Sequence, residues 1–348
     1  MSNEIIVFFS FLLIVGFMLM LDLGVFNKNS HKISLKEAGI WTSVWVLVSI
    51  ACFVFIRFNG NILHDIKDIA HLQTIISTYN HPIDISGKSF EDAISIYNNN
   101  LSLEYITGYL IEYALSVDNI FVIVMIFLAF GVEPKYYHRV LFWGIIGALI
   151  MRFIFIFLSS ALIQNFGWIL YVFGFILIFT GVKMFISRNK EDKVETEKHP
   201  AVRFVSKYFS MTEQYEGQKF WIKKGKKMFF TPLFLVLIVI EFTDVIFAVD
   251  SVPAIFSITK DPYIVFFSNI FAILGLRSLF FLLVGIMDLF HYLKTGLSVL
   301  LIFIGLKLLL HIQLKEIGFE TVHSLYVVIG ILSISVIASL LFPKKINR

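Results

Sequence analysis

The chain has 348 residues, 58% of them hydrophobic and 16% charged, with a formal net charge of +4 at pH 7. A mean hydropathy of +0.83 lies outside the range of soluble domains and makes the bilayer its solvent. The single cysteine, Cys52, excludes intrachain disulfides and thiolate-clustered metal sites, and the positive charge sits in one internal segment and the tail, the mark of a cytoplasmic membrane face rather than of nucleic-acid binding.

A hydrocarbon core of about 30 Å takes roughly 20 apolar residues per helix. Nine segments qualify, near 5–27, 38–57, 106–130, 139–162, 167–187, 231–258, 263–287, 291–311 and 323–342. No positively charged stretch precedes the first, and Asp22 interrupts it, so it reads as a span and not as a cleaved signal peptide. The chain divides into two N-terminal helices (1–58), an extracytoplasmic segment (59–104), a three-helix unit (105–187), a basic linker (188–230), a second three-helix unit (231–311), and a last helix with a basic tail (312–348). Segment 59–104 has apolar spacing suited to one or two short surface helices broken near Pro82, and no evident chemistry. In the linker, KFWIKKGKKMFF reads as a β-hairpin, with apolar-aromatic arms around Lys-Lys-Gly-Lys; its basic surface suits anionic lipid. The 188–229 stretch holds eleven basic against six acidic residues, and 59–104 two against six. With nine spans these fall on opposite sides, which puts the N-terminus outside and the C-terminus in the cytoplasm.

Spans three to five resemble spans six to eight. Glu112 and Asp118 in EYALSVDN are six apart, as are Asp244 and Asp250 in DVIFAVDS; Arg152 and Arg277 lie in the following spans; FTGVKMF around Lys183 matches FIGLKLL around Lys307. Each unit has three spans, so the two are inverted, an arrangement in which transporters hold substrate between the repeats.

An ionised group at the bilayer centre costs roughly 2.5–3.5 kcal/mol on insertion scales. Six acids lie inside spans, Asp22, Glu112, Asp118, Glu241, Asp244 and Asp250, and Arg152 and Arg277 can offset two of them. The surplus carboxylates repel unless they are protonated or joined by a cation. Oxygen ligands suit manganese, magnesium or calcium, and no histidine lies deep in a span to favour zinc or copper. Asp244 and Asp250 point about 120° apart on a regular helix, so their convergence needs a break, which Pro253 is expected to supply near Val249. The arginines read first as structural partners of the acids, and Lys183 and Lys307 as snorkelling anchors. Asp22, near the inner end of its span, suits a cap or a water-facing position as well as a site.

Over most of its length the chain resembles the TerC family of integral membrane proteins, which includes manganese exporters. The resemblance is carried by MLDLGVFNKNSHKISLKEA, ITGYLIEYALSVDN, HRVLFWGIIGALIMRFIFI, TEQYEGQKF, TPLFLVLIVIEFTDVIFAVDSVPAIFSITKDPYIVFFSNIFAILGLRSLFFLL and FHYLKTGLSVLLIFIGLKLLL. Residues 59–100 fall outside it and read as a lineage-specific insertion. The resemblance implies export of a divalent metal ion, manganese above all, with tellurite resistance as a historical label. It also implies that Asp22, Glu112, Asp118, Asn119, Glu241, Asp244 and Asp250 form the functional set.

The expected molecule is therefore an all-α multi-pass membrane protein of about nine transmembrane helices, two inverted three-helix repeats plus flanking helices. It would sit in a bacterial inner membrane and export divalent cations, with possible coupling to protons moving inward. No permanent cofactor is expected, and the oligomeric state is open. A second reading is a membrane-biogenesis factor associated with the protein export machinery. An intramembrane enzyme is not expected, since the chain has no HExxH, no nucleophilic serine motif and no dinucleotide fingerprint.

Overall fold

The computed structural model describes residues 3–22, 34–187, 202, 207, 209–212, 214–224, 227–284 and 292–342. The elements in chain order are α1 (Asn3–Asp22), α2 (Leu35–Asn59), a 3-10 turn (Gly60–His64), α3 (Ile69–Tyr79), α4 (Phe90–Ala129), α5 (Pro134–Asn165), α6 (Ile169–Ser187), β1 (Trp221–Lys224), β2 (Lys227–Phe230), α7 (Pro232–Phe256), α8 (Pro262–Ile273), α9 (Leu276–Val284), α10 (Leu293–Leu309), α11 (His311–Glu316) and α12 (Thr321–Leu341). The protein is all-α and multi-pass. Six of the described helices are long and apolar enough to cross a membrane, and α8 with α9 makes a seventh, bent by 43°. At the two remaining expected spans the described helices are shorter than that: α1 has an apolar stretch of Val7–Met18, and α10 is 17 residues long. Side chains such as Leu13, Phe175, Phe179 and Ile334 point outward, 66–76% exposed, as a lipid-facing surface requires.

Local chemistry sets the helix ends. Ser34, Asp68 and Ser89 cap α2, α3 and α4 by accepting the backbone N–H three residues on, and Pro134, Pro232 and Pro262 occupy first turns, where a missing N–H costs nothing. Helix α3 ends at Asn80 in the left-handed region, φ 52°. The expected break near Pro82 is therefore present, but the helix after it is not short: α4 runs for 40 residues, about 60 Å at 1.5 Å per residue.

The expected break at Pro253 is not. Helix α7 continues through it to Phe256. The proline stands in the last turn, where only one intrahelical bond is lost, and its own carbonyl accepts the Ser257 N–H at 3.1 Å. The sharp break lies instead at Gly275, φ +85°, between α8 and α9. A Cβ there would meet Trp45 of α2 at 2.6 Å, so both the backbone angle and the close approach demand glycine.

Helices α6 and α10 cross at backbone contact. A Cβ added to Gly181 would meet Ile302 and the Ser298 carbonyl at 2.8 Å; one added to Gly305 would meet Ile178 and the Gly174 carbonyl at 2.7 Å. Aligning FTGVKMF on FIGLKLL sets Gly174, Ile178 and Gly181 on Ser298, Ile302 and Gly305. The two sets of contacts therefore exchange under that alignment, the self-complementary pattern of a two-fold related pair.

The hairpin expected in the linker is present, with Trp221 opposite Phe230 and Lys224 opposite Lys227. Tyr215 donates its hydroxyl to the Phe130 carbonyl at the end of α4, 2.8 Å away, and Arg139 of α5 lies 5.0 Å from the Phe220 ring centre. The linker is thereby docked on the ends of α4 and α5 opposite α3.

Candidate intramembrane carboxylate site

Four helices meet around Arg152 of α5. Its Nη1 bonds Glu112 Oε1 of α4 and, at 3.1 Å, Asn269 Oδ1 of α8; its Nη2 reaches Asp244 Oδ1 of α7 at 3.4 Å. Glu112 and Asn269 are fully buried and Arg152 is 2% exposed. The guanidinium thus binds carboxylates from both three-helix units with its planar fork, a geometry a lysine could not supply. A second set of atoms here is buried with no hydrogen-bond partner among the described residues: Glu112 Oε2, Asp244 Oδ2, Arg152 Nε, Asn269 Nδ2, Ser116 Oγ and Ser251 Oγ. A narrow cavity of about 30 Å³, lined by Asn119, Arg152, Thr243 and Asp244, opens beside them, room for about two waters.

Glu241 precedes Asp244 by one turn of α7, on the same face. Its carboxylate lies against Gly147 of α5, where any Cβ would overlap it, so the glycine makes room for an acid. Asp250 turns instead to α6 and accepts the Thr180 hydroxyl at 3.0 Å. With α7 unbroken, Asp244 and Asp250 diverge as the wheel requires. The Asp118 and Asp22 side chains lie outside the described residues. Arg277 Nη1 is 2.8 Å from His138 Nε2 at the start of α5. Among the described residues no group of three or more His, Cys, Asp or Glu side chains is assembled as a metal cage. The structure therefore unites Glu112, Asp244 and Arg152, sets Asn119 on their cavity, and leaves Glu241 and Asp250 on neighbouring faces of α7. Reasoning from sequence missed Asn269, Thr180 and His138, single polar residues inside apolar or aromatic stretches.

It also missed a buried polar cluster in 59–104. His64 Nε2 lies 2.8 Å from Asp261 Oδ2 and His81 Nδ1 2.9 Å from Glu104 Oε1, with all four side chains at most 1% exposed. Asn100 donates to Glu104 at 2.7 Å, and Asp261 accepts the Tyr263 N–H at 2.9 Å as the cap of α8. Burial pulls the His81 imidazole down, but the charge of Glu104 and its hydrogen bond together prevail and hold it above its ordinary value. Burial likewise pushes Asp261 up, and the His64 charge and hydrogen bond overcome it, holding the carboxyl below its ordinary value.

The model of the family described as "Integral membrane protein TerC family" matches residues 97–347. An uncharacterized membrane protein of Myxococcus xanthus is 40% identical over 95% of this chain and 91% of its own. The Salmonella typhi protein described as "Putative membrane-bound redox modulator Alx" is 40% identical over 94% of this chain and 91% of its own. An uncharacterized membrane protein of Rickettsia felis is 38% identical over 97% and 98%. The family model begins at Tyr97, so most of segment 59–100 lies outside it. No solved structure matches. With a matching family model over most of its length and relatives alike almost from end to end, the chain belongs to the TerC family of integral membrane proteins.

Proposed function

We propose that the protein is a secondary transporter that exports a divalent cation, manganese first, from the cytoplasm through the carboxylates around Arg152, with protons moving inward in exchange. The observation that carries this reading is the pair of buried, unpartnered oxygens Glu112 Oε2 and Asp244 Oδ2 flanking one guanidinium. Hard oxygen donors of this kind suit manganese, magnesium or calcium. Glu112 and Asp244 occupy equivalent positions in the two three-helix units, and the self-complementary contact of α6 with α10 supports an inverted pair that rocks about a shared site. Arg152 is the resident counter-charge; an arriving cation takes its place on the acids. Asp250 and Glu241 extend the acidic face of α7. The linker docked at Phe130 and the acidic segment at the other end of α4 support a cytoplasmic C-terminus, in a bacterial inner membrane. The single cysteine leaves no intrachain dithiol for redox exchange, which favours ion movement over the thiol chemistry that a relative's name suggests.

The test is manganese flux in proteoliposomes of the purified protein, wild type against Asp118→Asn and Asp250→Asn. Flux lost in both folded variants supports the carboxylate pathway. Absence of wild-type flux for several metals under an imposed pH gradient would overturn it in favour of a biogenesis factor, to be sought by co-purification with translocon subunits. Proton exchange fails separately if collapsing the gradient leaves efflux unchanged.

A further inference from the structure

At the end of the molecule away from the hairpin, a cavity of about 140 Å³ is bounded by the α7–α8 turn, the ends of α10 and α11, the start of α12 and the turn after α3. Glu104 of α4 lies on its wall. That side chain is 1% exposed, its Oε1 is held by His81 and Asn100, and its Oε2 has no partner among the described residues. Lys307 of α10 lines the same cavity and acts electrostatically on Glu104. The lysine expected to snorkel outward therefore faces inward, toward a buried acid.

One carboxylate thus serves two bases. His81 approaches from the turn between α3 and α4, and Lys307 from α10. Nearby, His64 of the 3-10 turn has its own acid, Asp261, so that pair adds no spare carboxylate. The other charged groups on the cavity wall are Lys260 of the α7–α8 turn, His311 of α11 and Glu320, which caps α12. Counting the half-buried Lys307 with the buried members, three bases, His64, His81 and Lys307, meet two acids, Glu104 and Asp261. Three cations and two anions cannot all stay ionised at low cost in a desolvated cluster. One base is always in surplus, and its proton is the exchangeable one.

We propose that this cavity is a proton-exchange site on the extracytoplasmic side, in which His81 and Lys307 compete for Glu104 and trade the surplus proton with water in the cavity. In one state His81 is the imidazolium paired to Glu104 and Lys307 passes a proton from Nζ to a cavity water. In the other Lys307 is the ammonium facing Glu104 and His81 is neutral. No bond other than N–H and O–H changes, and no electron moves. Glu104 stands two turns before Glu112 on α4, about 12 Å along the axis, so the site lies on the helix that leads to Arg152. Its role in coupling rests on the transport reading; its existence as a proton site does not.

The test is nitrogen NMR of the full-length protein labelled at its nine histidines, in detergent micelles from pH 5 to 9 with no transported ion present. The His81 signal is assigned by its loss in His81→Gln. The expected result is that His81 titrates within this range, that Glu104→Gln lowers its midpoint by about one unit or more, and that Lys307→Met raises it. The opposite signs are the signature of two bases sharing one acid; a purely structural pair would be indifferent to Lys307. A His81 signal that does not move between pH 5 and 9, or a midpoint unchanged in folded Lys307→Met, overturns the proposal. Flux separates the two readings. Manganese exchange at equal pH that persists in Glu104→Gln, with loss of acceleration by external acid, supports coupling through this site. Titration as expected in a protein without any flux leaves the proton site standing and removes the transport reading.

Discussion

At the α3 end of α4 His64 pairs with Asp261 and His81 with Glu104, whereas around Arg152 a single guanidinium stands between acids from α4 and α7. Both groups are withdrawn from water, yet the first joins paired acids and bases with Lys307 as an extra base, and the second is short of bases. Matched pairs hold elements together: His64–Asp261 ties the end of α2 to the turn that starts α8. A shortage leaves carboxylate oxygens unsatisfied, and an unsatisfied oxygen has something to offer a cation. The difference teaches that burial of acids alone does not tell the two groups apart; the ratio of acids to bases does.

The comparison breaks first at Arg152. Arg152→Met should destabilise the protein by about 3–5 kcal/mol, the cost of leaving buried charge uncompensated, read as thermal unfolding in detergent. Adding Glu112→Gln should restore only part of this, because Asp244 remains. A double variant as stable as wild type would mean that Asp244 never depended on the arginine. At the outer site His64→Phe should cost less, about 1.5–3 kcal/mol, and Asp261→Asn added to it should restore most of the loss, since the pair is self-contained and Asn still caps a helix. Equal recovery at the two sites would erase the distinction.

The smallest effect is that of pH on 59–104. His81 is held above its ordinary value of 6.5, so its contribution is complete below 6.5 and fades as pH rises through the raised value. Asp261 is held below its ordinary 3.8, so its contribution is complete above 3.8 and fades as pH falls through the lowered value. The segment should therefore be tightest between about pH 4 and 6.5 and loosen by about 1 kcal/mol or less well above it. Hydrogen exchange of residues 61–104, corrected for intrinsic rates, reads this directly; a segment equally protected at pH 5.5 and 8.5 would show that His81 stays neutral or never titrates.

Much of this was legible in the amino acids. Apolar run lengths located the six long apolar helices and the bent pair, the KKGKK arms announced the hairpin, and six acids against two arginines pointed to Arg152 as a counter-ion. What escaped has identifiable physical reasons. The His64–Asp261 pair joins positions 197 apart, and no periodicity carries such a contact, so a segment holding His64, His81 and Glu104 as buried polar side chains read as plain surface helix. Proline is a strong local signal and glycine a weak one, so the break was sought at Pro253 rather than at Gly275, where the approach of Trp45 decides it. Glycines at 144 and 147 look alike in sequence; only the position of Glu241 separates a packing contact from a recess for a carboxylate. Arg277 looked like the twin of Arg152, and its contact with His138 joins positions 139 apart, which no local pattern carries.

The length of α4 has a mechanical meaning. At about 60 Å it is twice the thickness of a hydrocarbon core, a single stiff shaft with Glu104 near its outer bearing and Glu112 two turns further in. A shaft does not bend between two such close points; it turns or slides as one piece. Whatever load the outer cap places on Glu104, torque or axial push, arrives at Glu112 undiminished, so the two charge groups are members of one linkage even though no side chain connects them.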